Sequence, residues 1–521
     1  MTQLEEKLFH SSLGPQWSQI GAHHHHGIDL PLSALHSENS CGIGEFYDLI
    51  PLIDWCKEVG FDVIQLLPIN DTGDDPSPYF ALSAMALSPL FLSLYKLPGV
   101  KKSDLSSFLP MNRLAKVPYH DVQSHKLLFL RTYFEKKGAR IVKEESFSIF
   151  VDENPWVETY ALFKVLKDVM AKNHWKTWPQ ELQAPTEKQF DALIEKYWID
   201  VCFYIFLQYL CFEQLCAVKK YANKKGVLIK GDIPILISPD SADVWKYTDE
   251  FDLSFSAGAP PDAYNENGQV WGLPIFHWEV MKERGFDWWK TRLDYAQNFY
   301  DLYRIDHVLG FFRIFAIPLG KSAKNGLFLP ADKAEWLPHG REILSVLCDH
   351  SPMLPIAEDL GAVPDSVRTA LTDLGICGTK VMRWEKRKNN TETFIDPLHY
   401  NPISMTTVST HDSETLQLWW QGEEGKSFAH HKGWHHNDIL SKAQRREILW
   451  DSHHSSSLFH INLIGEYLAL FPELVWDNPQ DERINIPGTV GPHNWTYRIR
   501  PSVEELSSHP LLKQEIEKIL E

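Results

Sequence analysis

Cysteine is scarce in this chain: seven among 521 residues, an odd number with no C-x-x-C pair. This argues against a disulfide framework and for reduced thiols in a cytoplasm. Positive charge is also in deficit, with 51 Lys and Arg against 69 Asp and Glu, a net charge of −18. Such a chain repels phosphate backbones, so no nucleic acid partner is expected. There is no polybasic cluster; Lys101–Lys102 and Lys136–Lys137 are too short to engage anionic lipid, so no membrane partner is expected either. The N-terminal Met-Thr-Gln-Leu-Glu-Glu-Lys lacks the regions of a signal peptide. The most apolar stretch, Val201 to Phe212, is short for a bilayer and contains Gln208, so it reads as a buried helix. No G-x-G-x-x-G or P-loop stands in strand–helix context, and no calcium-loop pattern occurs. No cofactor and no metal is therefore expected. Repeats and low-complexity tracts are missing too.

Aromatic residues, by contrast, are plentiful at 12%, with 19 Trp. Their flat faces suit sugar rings as well as cores. Short apolar runs ending in polar residues alternate with helical patterns. Seven stand out: 27–32, 61–69, 227–235, 303–306, 353–358, 379–384 and 406–412. Runs of this kind between helices predict a parallel α/β sheet. Polar residues at so many strand ends favour a (β/α)8 TIM barrel, which places its chemistry there. Residues 1–94 read as the first part of the barrel with two strands. Residues 95–200 read as an inserted, mostly helical subdomain, and 201–521 as the remaining strands. A loop-rich insertion near 238–289 carries Gly258-Ala-Pro-Pro261 and Asn265-Glu-Asn-Gly268; loops this long are usually functional. Residues 504–521 read as one amphipathic closing helix. The run His23–His26 is assigned no metal and reads as free imidazoles near a site mouth.

Three acids end apolar runs: Asp306, Glu358 and Asp412. Retaining glycoside transfer needs one carboxylate as nucleophile and one carboxylic acid to protonate the leaving oxygen. Side chains alternate along a strand, so Arg304 and Asp306 face the same way, and a guanidinium favours an ionised carboxylate. A catalytic acid needs a site that raises its pKa, a role open to Glu358. A third carboxylate, Asp412 after His411, can bind hydroxyls and stabilise an oxocarbenium-like transition state. Taken singly, each motif also fits a structural ion pair or a helix cap.

Their order with other blocks is specific. Arg-Ile-Asp-His at 304–307, Ile-Ala-Glu-Asp-Leu-Gly at 356–361 and Ser-Thr-His-Asp at 409–412 resemble the catalytic blocks of the 4-α-glucanotransferases, the amylomaltase or disproportionating-enzyme group, glycoside hydrolase family 77. So do Leu30-Pro-Leu with Gly42-Ile-Gly44, Ser77-Pro-Tyr79, Gly231-Asp-Ile-Pro-Ile235, Gly258-Ala-Pro-Pro-Asp262 with Gly268-Gln-Val-Trp-Gly272, and Asn485-Ile-Pro-Gly488 with Asn494-Trp495. The resemblance implies a glucosyl-enzyme on Asp306, acid–base work by Glu358 and transition-state stabilisation by Asp412. It implies substrate-binding roles for Tyr79, Asp232, Arg304, His411, Trp271 and Tyr264. It also implies maltooligosaccharides and glycogen- or starch-like α-glucan as partners, and a monomer or small homo-oligomer. Two positions depart from the common pattern. Leu309 stands where bacterial amylomaltases more often carry Arg, and the stretch 303–314 rather resembles the second plant-type disproportionating enzyme. Ala263 stands where an aromatic is common. An α-amylase-like hydrolase shares the barrel and three acids; a catalytically dead glycan-binding protein would not need all three.

Overall fold

The computed structural model describes residues 2–261, 266–387 and 390–521. Eight parallel strands form its centre: β1 (His25–Leu30), β2 (Val63–Leu66), β3 (Leu228–Ile233), β4 (Leu302–Ile305), β5 (Leu354–Ala357), β6 (Gly378–Val381), β7 (Ser404–Thr407) and β8 (Phe459–Leu463). Their order around the sheet is β5-β4-β3-β2-β1-β8-β7-β6. A parallel bridge between Ile356 and Cys377 brings β5 to β6 and closes the barrel. Seven strands are those the sequence predicts. The eighth, β8, escaped because Phe-His-Ile-Asn-Leu places His460 and Asn462 inside the run and ends on no acid. Both are fully buried.

Between Lys102 and Lys196 the described residues form helices and no named strand. Helix α1 (Trp198–Lys225) then leads into β3 and is far longer than the run 201–212. By length and composition it could cross a membrane, but 78% of its apolar window is buried inside the fold. It packs on the inserted helix Trp156–Val169 and on the helix Leu49–Val59 before β2. The insertion and the barrel thus share one continuous core. All seven cysteines are free.

Two other expectations change. The segment predicted as loop contributes Phe255–Ala259 and Gln269–Val270 to a four-stranded antiparallel sheet with Ile314–Pro318 and Leu327–Leu329. Gly258 allows it: a Cβ there would lie 2.1 Å from the Gln269 carbonyl oxygen. The closing helix is two helices, Val503–Ser507 and Pro510–Leu520, because Pro510 lacks the N–H that would continue the first.

The histidine run sits at the opposite end from the expected site mouth. His25 and His26 are the first residues of β1, at the N-terminal end of the barrel. His26 stacks on His460 at 5.0 Å, and its Nδ1 lies 2.8 Å from Nδ1 of His453. Burial pushes His26 down to about 4, His460 down to about 3 and His453 well below its ordinary value. Above the unfolded value near 6.5 these rings are neutral in both states and cost nothing. As pH falls below it, the unfolded chain takes up protons that the fold refuses. Stability is then lost at about 1.4 kcal/mol per pH unit for each such ring, down to its folded pKa. Urea unfolding between pH 7 and pH 4.5 is expected to show a steep fall in midpoint. His460→Gln should flatten that fall by one ring's share; an unchanged slope would contradict the account.

Candidate active site

Register brings the charged residues together. On β3 and β4, Asp232 pairs with Arg304 and Ile233 with Ile305; on β4 and β5, Arg304 pairs with Ile356 and Ile305 with Ala357. The residues that follow, Asp306 and Glu358, therefore emerge side by side at the C-terminal end of the barrel. They line a cleft of about 740 Å³ together with Tyr79, Trp271, Arg304, His411 and Asp412.

Arg304 joins two of the acids. Its Nη1 forms an ion pair with Asp306 Oδ1 at 2.8 Å and donates to Asp232 Oδ1 and Oδ2 at 3.0 and 2.9 Å. Its Nη2 stands 4.0 Å from Glu358 Oε2. Asp232 is buried behind Arg304 and does not line the cleft; it fixes the guanidinium rather than facing substrate. That refines its expected substrate-binding role.

Glu358 is gripped by backbone. The His307 N–H donates to its Oε2 at 2.8 Å and the Leu360 N–H to its Oε1 at 3.0 Å. His307 points its N–H there from a left-handed conformation, φ 43°, which non-glycine residues rarely adopt. Burial nevertheless raises Glu358 to about 8, opposed by Arg304 and reinforced by Asp306. Its neighbour Asp359 faces away, accepting from the Thr379 N–H at 2.7 Å and from Arg368.

Asp412 behaves oppositely. Nearly half its side chain faces the open cleft. Burial alone would raise its pKa, but His411 Nε2 at 3.3 Å and Asn485 Nδ2 at 2.7 Å hold it well below the usual range. The Tyr79 hydroxyl donates to Asp232 Oδ2 at 2.8 Å and lies 3.0 Å from His411 Nε2, so that nitrogen carries the proton. Tyr79 and His411 stack at 5.7 Å, with Trp495 beside both. Trp271 stands edge-on to His307 at 5.1 Å and donates from its indole to Gln269. Tyr264 and Ala263 lie outside the described residues.

Sequence reasoning missed part of the site. Asn485 was recognised only as part of a block, because nothing local ties it to an acid 73 residues earlier. Asp29 and Gln65 line the cleft floor from β1 and β2. Lys230 of β3 donates to Gln65 Oε1 at 2.5 Å. Burial raises Asp29 and lowers Lys230, each drawn back by the other's charge.

The sequence model of the glycoside hydrolase 77 family, 4-alpha-glucanotransferase, matches residues 30–504. A 4-alpha-glucanotransferase of Chlamydia pneumoniae is 46% identical over 520 residues, covering 98% of both chains. The 4-alpha-glucanotransferase DPE2 of Oryza sativa is 26% identical, over 92% of this chain and 67% of its own. An amylomaltase from Streptococcus agalactiae, solved in complex with acarbose, superposes with a TM-score of 0.81 at 26% identity, covering 95% of this chain and 98% of its own. The family match takes in every strand end that carries one of the three acids, and the chain therefore belongs to glycoside hydrolase family 77, the 4-alpha-glucanotransferases.

Proposed function

We propose that Asp306, Glu358 and Asp412 divide the family's retaining α-1,4-glucan transfer between them. The carboxylate of Asp306 attacks the anomeric carbon of the donor. As that bond forms, the glycosidic C–O bond breaks and the leaving oxygen takes the proton of Glu358. An acceptor 4-hydroxyl then gives its proton to the Glu358 carboxylate. Its oxygen attacks the same carbon and releases Asp306. Asp412, ionised beside His411, stabilises positive charge on the distorted ring. The carrying observation is the contrast in one cleft between a Glu358 raised to about 8 and an Asp412 held low.

Transfer must outrun hydrolysis, which shares the covalent intermediate. The sheet strands 255–259 and 269–270 lead to Trp271 on the cleft wall, a place to bind acceptor and exclude water. Incubation with maltotriose should yield a ladder of maltooligosaccharides, with reducing ends nearly constant. Net release of reducing sugar as the main outcome would restore the α-amylase-like reading.

Donors are maltooligosaccharides, and acceptors are maltooligosaccharides together with a glycogen- or starch-like α-glucan in the cytoplasm. Leu309, in the stretch 303–314 that resembles the plant-type disproportionating enzyme, supports the larger acceptor. The helix Leu309–Phe312 follows directly on the Asp306–His307 turn. Separating products from maltose alone and from maltose plus glycogen tests it: turnover only with glycogen supports the large acceptor. The protein is taken to act as a monomer or small homo-oligomer.

A further inference from the structure

The N-terminal mouth of the barrel holds a cluster of donors that the transfer reaction does not use. The link Gly21–His24 joins the short helix Gly14–Ile20 to β1. Gly21 adopts φ 98°, and the His23 ring folds back over it; a Cβ on Gly21 would lie 2.6 Å from both Nδ1 and Cε1 of that ring. The Gly21 carbonyl oxygen lies 3.1 Å from Nε2 of the buried His25. That leaves His25 Nδ1 facing Asp62 Oδ2 at 2.7 Å, just before β2. The other oxygen of Asp62 accepts from the His26 N–H at 2.8 Å, which fixes the carboxylate. The His23 and His25 rings are 4.1 Å apart, and one donor atom from each of His23, His25 and Asp62 lies within 4.8 Å of the others.

We propose that His23, His25 and Asp62 form a binding site for a divalent transition ion of the Zn2+ type. Two imidazoles and one carboxylate suit such an ion better than Mg2+ or Ca2+, which take oxygen ligands. The ion takes the place of the proton shared by His25 Nδ1 and Asp62 Oδ2. Bonds of about 2.0–2.1 Å need the two atoms to part by roughly half an ångström. The outer contacts are those a ligating histidine and carboxylate need: His25 Nε2–H on a backbone carbonyl, and Asp62 held by an amide. Water completes the coordination, since His23 is on the surface. The site ties the link before β1 to the start of β2. It shares no residue with the catalytic cleft, so occupancy acts on stability and leaves transfer unchanged.

The test uses protein purified without a polyhistidine tag and stripped with EDTA. Titration with Zn2+ by calorimetry should show one ion per chain, and Co2+ should give the visible absorption of a low-coordinate site. Thermal midpoint should rise with Zn2+, while maltotriose transfer by the stripped and loaded proteins stays equal. His23→Ala, at an exposed position that leaves the fold intact, should weaken binding at least about tenfold and abolish the Co2+ band. His24→Ala, next door but outside the set, should change neither. Absence of stoichiometric binding overturns the proposal. So does equal weakening by both variants, which would mean a surface run binding like a flexible tag, or no weakening by His23→Ala, which would place the ion elsewhere.

Discussion

Asp306→Asn is expected to lower the transfer rate by at least about 10⁴-fold, more than about 5 kcal/mol in activation free energy, with the fold intact. The amide keeps the shape of the carboxylate but cannot form the glucosyl ester, so the covalent route closes. Structure should survive for a stated reason. Arg304 loses one charged partner but keeps Asp232, which accepts from it through both oxygens. The guanidinium therefore stays in place and no buried charge is stranded. Circular dichroism and the thermal midpoint should stay close to those of the parent, and binding of a maltooligosaccharide should persist. Activity above a tenth of the parent would remove Asp306 from the nucleophile's position. The same result separates enzyme from glycan-binding module, since a binding module would keep its function.

How much of this was legible beforehand depends on what each residue announces locally. Asp306, Glu358 and Asp412 end apolar runs, and Arg304 precedes Asp306 by the two residues that put them on one face, so the ion pair at 2.8 Å follows from strand geometry. Tyr79 gave no local signal; it was found through its Ser-Pro-Tyr block, and only the fold shows its hydroxyl between Asp232 and His411. The His307 N–H was illegible because its aim comes from a positive φ that no residue type there betrays. β8 was missed because the buried end of a barrel carries His460 and Asn462 as readily as Val or Ile. The histidine run was seen but put at the wrong end: β1 begins two residues earlier than its apolar pattern, at His25.

Glu358 offers the second large effect, and its pH dependence carries the sign. The first step needs the protonated acid. Burial raises Glu358 to about 8, so that form prevails through neutral pH and is lost as pH rises past about 8. The ratio kcat/KM should accordingly stay level through neutrality and fall on the alkaline side with an apparent pKa near 8. A fall already near pH 5 would sink the assignment. Glu358→Ala should reduce transfer from maltotriose by about 10³-fold or more. With α-maltosyl fluoride, whose leaving group needs no proton, the first step should be far less impaired. Azide, an acceptor that needs no base, should then speed the second step in the variant and not in the parent. Alanine is preferred to glutamine here for a structural reason. Two backbone N–H groups, of His307 and Leu360, donate to the two oxygens of Glu358. The amide of glutamine would turn its own N–H₂ against one of them, mixing a local clash with loss of the acid. If fluoride and glucan donors suffer alike in Glu358→Ala, the residue positions the turn after β5 rather than moving the proton.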